Sequence, residues 1–174
     1  METKNIGEDP VLHAPEYSPV KENEQVLLSL GITADHIAAL PMIVNTGDAF
    51  LLLEVRTPEI LQSLHPVPDS IRLLADQYSL WGYCIFCRYD GKQADATART
   101  FLASAADQAK APGIQAAGAL ACYLYDIAMI KKEMMVVFHD FPPQSPATTR
   151  IVVHLHTEQG KIHSLEPGAL EPVQ

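Results

Sequence analysis

The sequence predicts an α+β fold, a mixed sheet wrapped around one buried helix, on three observations. First, residues 114–130 consist of Ala, Leu, Ile, Met, Cys, Gly and Tyr, with Gln115 and Asp126 the strongly polar exceptions. A helix that is apolar all round must be buried in a protein core or a bilayer. The stretch falls short of the ~20 residues of a membrane span, and Asp126 would be costly in lipid, so a core helix is expected. Second, short strand-like runs outnumber that helix, which suggests a sheet curled around it and not a doubly wound α/β arrangement. Third, the chain has 174 residues, 48% hydrophobic and 19% charged. That suits one soluble globular domain with a real core.

The elements follow in order. Residues 1–13 read as a flexible N-terminal arm, and 14–174 as the single domain. Met1 to Pro10 is polar and charged, with no apolar stretch after a basic start, so no secretory signal is expected. Pro10, Pro15 and Pro19 keep residues 10–20 extended. Between Lys21 and Leu30, Val26, Leu27 and Leu30 share a helical face that Gly31 terminates. Thr33 caps a short second helix that Pro41 ends. Two apolar runs within 41–55, parted by Asn45 to Asp48, predict paired strands joined at a glycine turn. Helices are expected at 58–64 and 69–78, separated by His65-Pro-Val-Pro. Strands are expected at 81–88 and 95–102, with Thr97, Arg99 and Phe101 on one face. A loop at 103–112 leads to the central helix. Strands at 134–139, 150–156 and 161–165 close the chain, with a Pro-rich linker at 141–146 between the first two.

Composition removes several function classes. The net charge of −9, with Lys131–Lys132 the one adjacent basic pair, argues against nucleic acid and against an anionic membrane as partners. An odd count of 3 cysteines without a signal peptide is no disulfide framework and fits a reducing, cytoplasmic setting. Cys84 and Cys87 form a C-x-x-C inside an apolar strand, where residues three apart face opposite ways. They read as core cysteines, and so does Cys122. His154 and His156 share a strand face, with His139 and His163 on neighbouring strands. Because Ile151, Val153 and Leu155 alternate inward, these two histidines face solvent and no metal site is expected. Gly113 and Gly118 match no phosphate-loop spacing, and no nucleophile has a local signature. Asp126 either pairs with a nearby tyrosine or faces a cavity.

Several motifs occur in a recognisable order. They are Ala14-Pro-Glu-Tyr-Ser-Pro-Val, Leu28-Ser-Leu-Gly-Ile-Thr, Asn45-Thr-Gly before 50–55, Ala96-Thr-Ala-Arg-Thr-Phe, Ala116-Ala-Gly-Ala-Leu-Ala-Cys-Tyr-Leu and Phe141-Pro-Pro-Gln-Ser-Pro. From about residue 14 onward the chain resembles the C-terminal half of the phenazine-biosynthesis PhzF-like isomerase family. The resemblance implies one diaminopimelate-epimerase-like domain, half of a pair whose active site lies in the cleft between them. It implies no metal or cofactor, and proton movement on small carboxylates held by helix N-termini. The half that carries the family's catalytic glutamate and histidine is not in this sequence. In the loop entering the central helix, Lys110, Gly113, Ile114 and Gln115 stand where the family has an aspartate, a threonine, a glycine and a serine. No family acid remains there, so no catalytic residue is assigned. The resemblance places ligand contacts at Lys110, Gly113, Ile114, Gln115 and Ala116, with Thr46 and Gly47 from the turn. The expectation is a degenerate half-domain, non-catalytic or altered in function, that self-associates as a homodimer and binds a small carboxylate between copies. The rival is a cofactor-independent isomerase or epimerase, active as a homodimer or with a separate N-terminal half. Its titratable candidates are Asp48, Asp107, Asp126, His139 and Asp140.

Overall fold

A computed structural model describes residues 12–88, 94–104, 112–140 and 148–172. They hold nine strands: β1 Leu12–His13, β2 Glu16–Pro19, β3 Met42–Asn45, β4 Ala49–Glu54, β5 Gly82–Arg88, β6 Ala96–Leu102, β7 Met134–Asp140, β8 Thr148–Glu158 and β9 Lys161–Pro172. Four α-helices accompany them: α1 Asn23–Leu30, α2 Pro58–Gln62, α3 Pro68–Tyr78 and α4 Pro112–Asp126. The strands form one mixed sheet, in the order β1-β9-β8-β7-β6-β5-β4-β3-β2. Pairing is antiparallel except at β4/β5 and β6/β7.

The sheet closes on itself. Its outermost strands, β1 on β9 and β2 on β3, are parted in the chain by Ala14 and Pro15 alone. That short connection brings the two edges together, and the His13 N–H donates to the Thr46 carbonyl at 3.1 Å. This near-closure shortens the exposed edges that an open sheet would leave. The two parallel joins need crossovers. Helices α2 and α3 carry the β4-to-β5 crossover outside the sheet, and α4 carries the β6-to-β7 crossover through its interior.

Strand alternation sorts the core into two layers. Phe50 and Leu52 face α4, while Leu51 and Leu53 face the outer helices. Cys84 belongs to the inner layer and Cys87 to the outer, as their spacing requires. The outer layer is built from Val26 and Leu30 of α1 and from Ile71 and Leu74 of α3. Its inward side chains recur at helical spacing, which is why these segments are helices. The curled sheet around a buried helix is therefore as predicted, with a second helical layer added outside.

Several expected boundaries shift, the first two described for a local reason. The central helix runs from Pro112 to Asp126 and not over 114–130. Beyond it, the Ile127 and Ala128 N–H groups both bond the Tyr123 carbonyl, at 2.8 and 3.0 Å, and Met129 turns to φ +62. Ala128 and Ile130 are apolar because they fold back onto the inner core, not because the helix continues. The segment after Thr33 is a 3₁₀ turn, Ala34–His36. Ile37 then bridges to Val55, and the Ala38 N–H donates to the Glu54 carbonyl at 2.8 Å, so the backbone is drawn into strand pairing. The last strand runs on to Pro172, its register against β8 broken near Ile151 and His156.

Candidate active site at the mouth of the barrel

Register fixes what gathers at the end of the barrel where α4 begins. Phe50, second in β4, lies opposite Gly82, and Gly82 opens β5 opposite Leu102 at the close of β6. Arg99 pairs with Asp140 at the close of β7, which pairs in turn with Thr148 at the start of β8. The β3–β4 turn lies at this same end, with the Gly47 N–H bonded to Asn45 Oδ1 at 2.9 Å. Thr46 and Gly47 thus lie at the same end of the sheet as the first turn of α4, which holds Gly113, Ile114, Gln115 and Ala116. Gly113, Gln115 and Ala116 are buried and Ile114 is half-buried, while Gly47 is exposed. Lys110 and Asp107 lie outside the described residues, as does the Asp140 side chain.

Two features make this mouth chemically unusual for a core. Thr46 is 1% exposed and Gln115 8%, yet Thr46 Oγ1 and Gln115 Oε1 meet no hydrogen-bond partner among the described residues. Buried polar atoms are nearly always paired, so an orphan calls for an explanation such as a ligand. The first turn of a helix also presents backbone N–H groups without intrahelical acceptors and the positive end of its dipole.

Thr100 and His139 are the second feature. Both are buried on the inner faces of β6 and β7, with Thr100 Oγ1 2.6 Å from His139 Nε2. Cys84 pairs with Thr100 across the strands and its thiol is hydrogen-bonded to the threonine, while burial pushes the thiol up to about 12. Trp81 stands at the same end, its ring tilted 55° to Phe50 at 6.3 Å. The sequence contained a usable signal for the Thr100–His139 pair. Ala96, Ala98 and Thr100 alternate with the outward Thr97 and Arg99, and Met135, Val137 and His139 repeat the pattern. Only pairing β6 with β7 shows that the two polar termini meet.

Other candidates are placed elsewhere. Asp126 ends α4, far from the mouth. The Tyr17 hydroxyl lies 2.5 Å from its Oδ2 and 3.0 Å from the Cys122 carbonyl, which realises the tyrosine pairing. Burial, reinforced by that carboxylate, pushes the Tyr17 phenol far above its ordinary range. Asp48 sits half-buried in the β3–β4 turn. His154, His156 and His163 are exposed, and no cluster of three or more metal-ligating residues occurs among the described residues. Arg99 faces outward, donating to the Leu61 carbonyl at 2.7 Å and stacking over Phe101. There its charge complements the C-terminus of α2.

Burial also pushes the Cys122 thiol up to about 12, from an ordinary 9.0. The sign follows directly: above pH 9 the unfolded chain ionises thiols that the folded chain keeps neutral. Their contribution to stability is complete below pH 9 and is lost as pH rises toward 12, by at most ~1.4 kcal/mol per unit for each thiol. Cys84 and Cys122 are expected to resist a thiol-reactive chromogen at pH 8 in the folded protein and to react once it is denatured. Stability measured by urea midpoint is expected to decline across that alkaline window.

The comparisons with solved structures bear on this geometry. The protein is similar to a Bacillus anthracis phenazine biosynthesis protein of the PhzF family, with a TM-score of 0.68 and 14% identity, over 94% of this chain and 57% of that one. The chain has the fold of one half of a PhzF-family protein. A predicted epimerase from Pseudomonas aeruginosa matches at TM-score 0.56 and 17% identity over 92% of this chain and 56% of its own. A PhzF-family protein from Enterococcus faecalis matches at 0.54 and 15% over 94% and 54%. This PhzF-like half thus spans little more than half the length of the structures it resembles. No protein-family model and no curated protein sequence matches it. Among the described residues, no helix is long and apolar enough to cross a membrane.

Proposed function

We propose that this chain is a PhzF-like half-domain of altered function that binds a small carboxylate at the barrel mouth and completes its cleft by pairing with a second copy. The observation that carries the reading is that two buried groups at this end, Thr46 Oγ1 and Gln115 Oε1, have no hydrogen-bond partner among the described residues. The Thr46 hydroxyl can donate to an anion. The Gln115 amide, turned by half a rotation, offers N–H where its oxygen now sits. Backbone N–H groups of Gln115 and Ala116 supply the dipole end that favours negative charge. Lys110, in place of the family's acid, adds positive charge to the loop entering the helix. This chain covers only 57% of the Bacillus anthracis relative, and a two-fold pair of this chain supplies two such domains. The family's catalytic positions hold no acid here, so the reading is a binding domain, not an intact isomerase.

The test uses the sole tryptophan. Benzoate titrated against the whole protein is expected to change Trp81 fluorescence, and light scattering with size exclusion is expected to give the mass of a dimer. Replacing Lys110 and Gln115 together by alanine is expected to weaken benzoate at least tenfold, since a hydrogen bond to a charged group is worth ~1.5–3 kcal/mol. A monomer at micromolar concentration removes the paired cleft, and an affinity unmoved by the double substitution removes the site.

A further inference from the structure

The two short strands that bridge the edges of the sheet are its least embedded part. We infer that residues 12–19 form a latch across the seam between β9 and β3, one that opens without unfolding the barrel and must be shut for the mouth to hold a carboxylate. The inference rests on the carboxylate reading above and adds to it a control over when the site exists.

The latch is held mostly by backbone. β1 gives β9 two residue pairs, and β2 gives β3 four. Over residues 13–19 every residue is exposed or half-buried, and Tyr17 is the one large apolar side chain among them that packs against the inner core. In β5, by contrast, residues 82–87 are all buried. Segments with few buried contacts open at a small fraction of the free energy of global unfolding, whereas a fully buried strand opens only with the whole domain. Pro15 and Pro19 hold the backbone extended without help from a neighbour, so the opened segment returns to its seat at a small entropic cost.

One side chain serves as the catch. The Tyr17 hydroxyl lies 3.0 Å from the Cys122 carbonyl and donates to Asp126 Oδ2 at 2.5 Å. A hydrogen bond to a charged acceptor is of the stronger kind, and this one ties the latch to the last turns of α4. The mouth lies at the other end of that helix, and the latch reaches it as well. Glu16 pairs with Asn45, and the His13 N–H donates to the Thr46 carbonyl at 3.1 Å. Shut, the latch gives the β3–β4 turn and α4 a common support. Open, it leaves β3 an unpaired edge, releases the Thr46 carbonyl and frees the end of α4. A ligand that needs both Thr46 and the first turn of α4 then binds the shut state, and its binding in turn holds the latch shut.

Hydrogen exchange on the full chain tests this, with benzoate as the probe. Without ligand, the amides of His13 and β2 are expected to exchange at least a hundredfold faster than those of β5. Benzoate at a hundred times its dissociation constant, taken from Trp81 fluorescence, is expected to slow the latch amides about a hundredfold. Tyr17→Phe keeps the ring and loses the catch, and is expected to speed the same amides at least tenfold. Latch amides that exchange at the rate of β5 overturn the inference, since the segment then opens only with the barrel. Latch amides unmoved by Tyr17→Phe overturn it too, because opening then leaves the catch in place. Benzoate that binds without slowing them also overturns it, and leaves the carboxylate site standing. No fluorescence response to benzoate removes the site, and the inference with it.

Discussion

Gly82→Ala is expected to destabilise the protein by about 3 kcal/mol or more, the upper end of overpacking costs. A Cβ at this position would lie 2.2 Å from the Phe101 carbonyl oxygen and 2.9 Å from the Leu102 Cα. Both atoms are backbone of β6, so no rotamer change relieves the clash; the strands must part. They would part at the mouth, where Gly82 pairs with Leu102 and the Trp81 N–H is anchored to the Ala49 carbonyl at 2.9 Å. Gly160→Ala makes the control. Gly160 has φ +78 with nothing near the added Cβ, so its substitution costs only the left-handed backbone term, about 1 kcal/mol. Urea midpoints of the two variants should therefore separate clearly. Near-equal losses would show that β5 and β6 do not approach as described.

Much of the architecture was legible because alternation and periodicity are local properties. Cys84 and Cys87 fall on opposite faces, and His154 and His156 face solvent, because a strand's period fixes both from sequence alone. Apolar composition announced α4 but misplaced its end, since Ala128 and Ile130 look helical while serving as a returning turn. Closure of the barrel was not legible, as it depends on Leu12 meeting Leu165 across almost the whole chain. The site divides in the same way. Thr46 and Gln115 came from resemblance to a family, and neither residue type identifies itself. Thr100 and His139 were each on view, but their meeting depends on the parallel pairing of β6 with β7, and that crossover passes through a helix. Local rules gave the faces, and long-range pairing decided which faces share a site.

The interior packing of α4 gives the second large expectation. Leu120 and Ala119 are both fully buried within the barrel, and Ala116, Ala117 and Ala121 share that burial. Alanine on several sides of one helix lets the strands close tightly around it, while Leu120 and Leu124 fill the space that remains. Leu120→Ala should leave a cavity that the hydrogen-bonded barrel cannot collapse to fill, at a cost of about 3 kcal/mol. Ala119→Leu should cost about 2 kcal/mol for the opposite reason, because the added atoms have nowhere to go. The two differ in their effect on function. A cavity near the middle of α4 leaves the first turn in place, so Leu120→Ala should still bind benzoate wherever it is folded. An overpacked helix must shift or push the strands outward, which moves Gln115 relative to Thr46, so Ala119→Leu should lose affinity even in the folded fraction. Equal affinities in the two variants would mean that the position of α4 does not set the geometry of the mouth.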